Sequence, residues 1–126
     1  MDAAPTTFEE FWPHYVRAHS NKLNRTLHVV GTSLALACIV AAILKRRPRL
    51  FLLAPVVGYG FAWCGHFFVE KNIPATFSHP LFSLRADALL FWKTVCGEMD
   101  AEVERVMENA AGSGTSREET TAAAAN

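Results

Sequence analysis

Two stretches decide how this chain folds: LHVVGTSLALACIVAAIL, residues 27–44, and LFLLAPVVGYGFAWCGHFFV, residues 50–69. Neither contains Asp, Glu, Lys or Arg. Apolar runs of about 18 to 20 residues reach across a hydrocarbon core of about 30 Å, while a buried helix of a soluble domain seldom needs more than about 14. Between them lies KRRPR, residues 45–49, too short and too basic for anything but a tight turn, with Pro48 at or near the start of the second helix. The pattern is that of two antiparallel spanning helices, a hairpin. The alternative is a soluble bundle with two unusually apolar core helices.

The rest of the chain is read outward from that hairpin. Its 126 residues suit one domain, and 51% hydrophobic content with zero net charge excludes a disordered chain and gives no electrostatic footprint for nucleic acid. The opening MDAAPTTFEEF is acidic and aromatic, unlike a cleaved leader, so the N-terminus is expected to be kept. Thr7 and Glu10 form a capping-box pattern, and Phe8, Phe11, Trp12, Tyr15 and Val16 follow at helical spacing. That predicts a short amphipathic helix, kinked at Pro13, whose aromatic face suits a membrane surface. Ser20 or Asn21 is the expected N-cap of the first spanning helix, which then runs from about Lys22 to Leu44. After KNIPATFSHP, a loop with two prolines, a third helical pattern extends from Leu81 to Met107 with a break at Gly97. It is expected to lie along the interface, or to dip into the membrane at its start with Arg85 and Asp87 paired. Residues 1–108 are thus expected to form a single membrane-embedded all-α domain, and the low-complexity residues 109–126 a disordered tail. Cys38, Cys64 and Cys96 show no CxxC spacing and are read as small buried hydrophobes.

Candidate chemistry gathers at one end of the hairpin. His28 stands 17 residues before Lys45, and His66 stands 17 residues after Arg49. At 1.5 Å per residue both lie about 26 Å from the turn, so antiparallel helices bring them to one depth. Small-residue rows mark the facing sides: Gly58, Ala62, His66 and Glu70 on the second helix, and His28, Gly31, Ala35, Cys38 and Ala42 on the first. His19 and His79 lie in the segments flanking this end, whereas His14 is read as a surface residue. Ionisable groups near hydrocarbon need partners, and a metal ion is the economical one for four imidazoles and a carboxylate. A mixed His and carboxylate set with open positions suits non-haem Fe(II). Two other readings are a haem held axially by His28 and His66, giving an electron carrier, and a non-enzymatic scaffold whose histidines only hydrogen-bond. Arg17, Lys22, Arg25 and Lys71 crowd the same end and have the character of headgroup anchors.

The segments FWPHYVRAHSN, NRTLHVVGTS, YGFAWCGHFFVEKNIPATFSHPLFSLRAD and GEMDAE resemble the family of 2-hydroxy-fatty-acid dioxygenases of phytosphingosine breakdown, small endoplasmic-reticulum membrane proteins. The motifs HSN, LHxxG, GHxxxE and a later HP occur in that order over about residues 8 to 105. The resemblance implies Fe(II)-dependent alpha-oxidation, in which a 2-hydroxy fatty acid and O2 give a fatty acid one carbon shorter and carbon dioxide. It places the family histidines on His19, His28, His66 and His79, with Glu70 completing GHxxxE.

Overall fold

The computed structural model describes residues 3–124, and they are helical almost throughout. Helix α1, Phe8–Ala18, is closed at its start by the predicted capping box of Thr7 and Glu10. Helix α2, Lys22–Leu44, starts at Asn21, whose side chain accepts from the Leu23 N–H. Helix α3, Arg49–Cys64, follows Pro48 after the basic turn and continues as one widened π-helical turn, Gly65–Glu70. A 3-10 turn at Ala75–Phe77 leads into α4, Pro80–Val95, and the chain then reverses at Gly97, φ 75°, into α5, Met99–Ala124.

Helices α2 and α3 form the expected hairpin, and their separation is set by glycine. A Cβ added to Gly31 would lie 2.8 Å from the Phe61 Cβ and 3.1 Å from the Gly58 carbonyl oxygen, while a Cβ on Gly58 would meet Ala35 at 3.5 Å. Ala42, Ala54 and Ala62 are buried in the same seam, so small side chains let the two backbones approach. The large apolar residues face the other way: Leu44 and Leu52 are 77% and 74% exposed, and Leu34, Val40, Ile43 and Val56 are exposed with them. Only 17% and 22% of the two apolar spans are buried inside the protein. Neither is buried as the core helix of this chain. Both are long and apolar enough to cross a membrane.

The large side chains are buried elsewhere. Phe8, Phe11, Trp12, Tyr15 and Val16 of α1 pack with Ala86 and Leu90 of α4 and with Met99 and Val106 of α5. This corrects the expectation of an interfacial first helix, because its aromatic face is covered by α4 and α5 and is unavailable to lipid. Helix α4 instead shows apolar residues outward, among them Leu81, Leu84, Trp92 and Val95. Arg85 and Asp87 do not pair: the Arg85 guanidinium lies 4.0 Å over the Phe8 ring, and Asp87 points inward. One further expectation changes: Cys64 and Cys96 are exposed, with Cys38 half-buried, and all three are free. The described part of the tail segment continues α5 to Ala124.

Candidate metal centre

Three histidines from three separate segments meet where the hairpin joins this aromatic core. His19 ends α1, donating its backbone N–H to the Val16 carbonyl. Its own carbonyl and that of Ser20 accept from the buried Arg25 guanidinium at 2.9 and 2.6 Å, and Arg25 also pairs with Asp100 at 2.6 Å. Arg25 is therefore a clamp on the loop between α1 and α2, where the sequence had suggested a headgroup anchor. The Asp100 carboxyl is held below its ordinary pKa, first by the Arg25 hydrogen bond and then by the Lys22 charge. His28 lies in the second turn of α2. His66 is carried by the π-helical turn, a rare geometry that often accompanies functional sites. Gly65 makes that placement sterically allowed, since a Cβ there would lie 2.0 Å from the Asn24 Oδ1. The turn ends at Lys71, φ 56°, and Asn72 folds back to donate its N–H to the His66 carbonyl at 3.0 Å.

The three rings are buried, with centroids 4.5 Å apart for His19 and His28, 4.5 Å for His19 and His66, and 5.1 Å for His28 and His66. One ring nitrogen from each lies within 4.8 Å of the others. The hydrogen bonds assign which nitrogen that is. The His19 Nδ1 donates to the Tyr15 carbonyl at 2.7 Å, and the His66 Nδ1 to the Asn72 Oδ1 at 2.7 Å. Asn72 is fixed in that orientation because its amide donates to the Ala18 carbonyl at 3.0 Å. The His28 Nδ1 faces the Asp87 carboxylate at 3.5 Å. With Nδ1 hydrogen-bonded outward, the Nε2 lone pairs of His19 and His66 are left for the interior of the cluster, and the Asp87 carboxylate beside the His28 Nδ1 favours the same tautomer there. The His19 and His28 Nε2 atoms are only 3.2 Å apart.

One proton shared across that gap, or one cation bound among the three rings, would satisfy these nitrogens, and the third imidazole beside them suits the cation. Nitrogens bound at about 2.0 to 2.1 Å to one ion lie about 3 to 4 Å from each other, a range that the 3.2 Å between the His19 and His28 Nε2 atoms meets. An outer acceptor on the far nitrogen of each ring is the usual support for a metal-binding histidine. Burial, followed by the neighbouring His28 and His66, pushes the His19 pKa well below the ordinary imidazole value, favouring the neutral form that a metal requires. The residues present fit a metal ion.

Tyr15 and Asp87 close the site on the side of α1 and α4. The Tyr15 hydroxyl donates a short hydrogen bond to Asp87, and its ring stacks on His19 with centroids 3.9 Å apart. Burial and then the Asp87 charge raise the Tyr15 pKa well above its usual value, so the phenol stays protonated and remains a donor. Asp87 consequently holds both Tyr15 and His28.

Glu70 and His79 are placed apart from the three converging nitrogens. The Glu70 carboxylate accepts from the Asn21 N–H at 2.7 Å and the Asn24 amide at 3.5 Å, which ties the π-helical turn to the start of α2. The first turn of a helix favours negative charge. The His79 Nδ1 lies 3.0 Å from the Ser78 hydroxyl, and its ring lies against Phe11 and Phe82. Phe11 and Tyr15 follow in that order between His79 and His19. A haem between His28 and His66 does not fit, because His19 packs edge-on against both rings and occupies the slot a macrocycle would need. His14 is exposed, as expected.

Sequence reasoning missed Asp87, Tyr15 and Asn72. Tyr15 precedes His19 by one helical turn, a signal available in FWPHYVRAH, but Asn72 reaches His66 only through the π-helical turn and the left-handed residue after it.

The profile of the protein family described as 2-hydroxy-palmitic acid dioxygenase Mpo1-like matches residues 5–99, a stretch holding all three clustered histidines together with Glu70, His79 and Asp87. No curated protein and no solved structure matches the chain.

Proposed function

This chain belongs to the 2-hydroxy-palmitic acid dioxygenase Mpo1-like family, and from that premise we propose that it is a non-haem Fe(II) dioxygenase of the endoplasmic reticulum membrane that shortens 2-hydroxy fatty acids by one carbon. The observation that carries this reading is the convergence of three buried imidazoles, each offering one ring nitrogen within 4.8 Å of the others, with the Nδ1 atoms of His19 and His66 hydrogen-bonded outward and that of His28 facing Asp87. His19, His28 and His66 would hold the iron. Three neutral ligands leave coordination positions and positive charge available for an anionic substrate and O2.

The reaction R-CHOH-COOH + O2 → R-COOH + CO2 + H2O balances in atoms, and the substrate supplies the electrons that reduce O2. No outside reductant is required. Bound Fe(II) supplies the redox chemistry that lets O2 and the hydroxy acid react. The protein's residues supply position: Tyr15, Asp87 and Asn72 fix the three rings, Arg25 fixes the loop that carries His19, and Glu70 holds the π-helical turn against α2. The aromatic layer of Tyr15 and Trp12, ring centroids 5.7 Å apart, keeps water from that side of the cluster.

The membrane reading draws on the outward apolar faces of α2, α3 and α4, a contiguous surface far more apolar than a soluble monomer presents. It sets the cluster at the polar end of the hairpin, where a carboxylate head arrives from the interface while its tail stays among lipid chains. The test is product formation. Protein purified with Fe(II) should convert 2-hydroxypalmitate and O2 to the fatty acid one carbon shorter with one equivalent of carbon dioxide, and should contain iron with no Soret absorption. Iron-loaded protein that leaves 2-hydroxy acids of every length unchanged would refute the assignment.

A further inference from the structure

An apolar groove of about 390 Å³ runs between α2, α3 and the start of α4, beginning at the metal cluster. Its lining on α2 extends from His28 to Ile39 and on α3 from Ala62 back to Phe51. Eleven residues of helix span about 16 Å, close to one leaflet of a hydrocarbon core of about 30 Å. The wall is polarised along that length. His28, Thr32 and Asp87 stand at one end, Tyr59 adds a hydroxyl midway, and from there to Ile39 and Phe51 the lining is aliphatic or aromatic. The occupant must therefore carry a polar head at the cluster and an extended apolar tail toward the basic turn.

We propose that this groove is the acyl-chain site, and that Ile39 and Phe51 at its far end set the length of tail it accepts. The inference rests on the dioxygenase reading for the identity of the head group, and on the groove's continuity with His28 for where that head lies. The same side chain forms the groove's polar end and contributes a lone pair to the cluster, so a tail lying in the groove brings its head to the metal. The small residues Ala35, Ala54 and Gly58 form its floor, giving the packing that draws the two helices together a second role.

The test uses the full-length, iron-loaded protein in detergent without O2, so that ligands bind and do not turn over. Displacement of a fluorescent polyene fatty acid by 2-hydroxy acids of increasing length measures affinity against tail length. Each methylene held in the groove contributes about fourfold. Ile39→Trp, filling the far end, should lower the ratio of long-chain to short-chain affinity at least tenfold, roughly the loss of two methylenes from the groove. Leu52→Trp, on the outward face of α3 and outside the groove, should leave that ratio unaltered. Should Ile39→Trp fail to fold, Phe51→Ala opens the same end at an exposed position and should shift preference toward longer tails. An affinity ratio unmoved by either folded variant, or equal displacement by methyl palmitate and 2-hydroxypalmitate, would overturn the proposal and mark the groove as filled by ordinary bilayer chains. The two readings fail separately. Shifted length preference without product after O2 is admitted supports the groove and removes the oxygenase, while product formation with an unmoved ratio does the reverse.

Discussion

The hairpin and the aromatic core are built on opposite plans. In α2 and α3 the residues between the helices are small or polar, Gly31, Gly58, Ala62, His28 and His66, and the large apolar side chains face outward. In the packing of α1 with α4 and the first turns of α5, Phe11, Trp12, Tyr15 and Leu90 are inside, while Glu9 and Arg105 are outside. The hairpin is held by close backbone approach, the packing that suits the lipid surroundings of the proposed reading, where burial alone gives no drive. The aromatic core is held by removing apolar area from water. The histidine cluster sits at the seam, taking His28 and His66 from one part and His19 from the other. Neither part alone can bring the three nitrogens together.

That contrast can be broken most severely at the seam. His66→Gln should abolish both bound iron and turnover of 2-hydroxypalmitate, whereas His79→Gln, a change behind Phe11 and Tyr15, should keep the iron; metal analysis of the two purified variants decides between them. Loss of iron in both would mean that His79 moves from its present contacts to join the cluster. Leucine truncation compares the two interiors directly. Leu90→Ala, fully buried, should cost about 2 to 5 kcal/mol in denaturant unfolding. Leu52→Ala, on the outward face of α3, should cost no more than about 0.5 kcal/mol in detergent. Equal losses would show that the hairpin has a conventional core. Asp87→Asn weakens the support of His28 while preserving shape, and a 10- to 100-fold fall in iron affinity is expected, read by chelator competition. An unchanged affinity would reduce Asp87 to a partner of Tyr15 alone. The smallest effect belongs to the end of α5. Its described side chains after Val106 are exposed, so removing residues 109–126 should move Tm by no more than about 2 °C.

The hairpin was legible because its signals are local and additive: two long uncharged runs, a turn too short for any other connection, and small residues repeating at helical spacing. Equal distances from that turn were enough to bring His28 and His66 to one depth. The same logic misjudged α1. A stripe of Phe, Trp and Tyr has the same pattern whether lipid or protein covers it, and only the position of α4 and α5 shows that protein does. For Glu70 the i and i+4 rule assumes α-helical geometry, whereas the chain widens into a π-helical turn at that point and the carboxylate meets Asn21 and Asn24. His79 stands outside the three converging nitrogens for a related reason. It flanks the correct end of the hairpin, but closeness along the chain says nothing about the rings that pack between.

The sequence by itself determined two apolar helices, their antiparallel pairing, and the end of the pair that gathers imidazoles, because helical rise and hydrophobic patterning are short-range properties carried by every residue in turn. Only the tertiary structure decided which three histidines share one space, that Tyr15, Asp87 and Asn72 orient them, and that a groove leads from His28 along the hairpin. Those facts depend on side chains far apart in the chain meeting at distances of a few ångströms, and no local rule fixes such distances before the helices have packed.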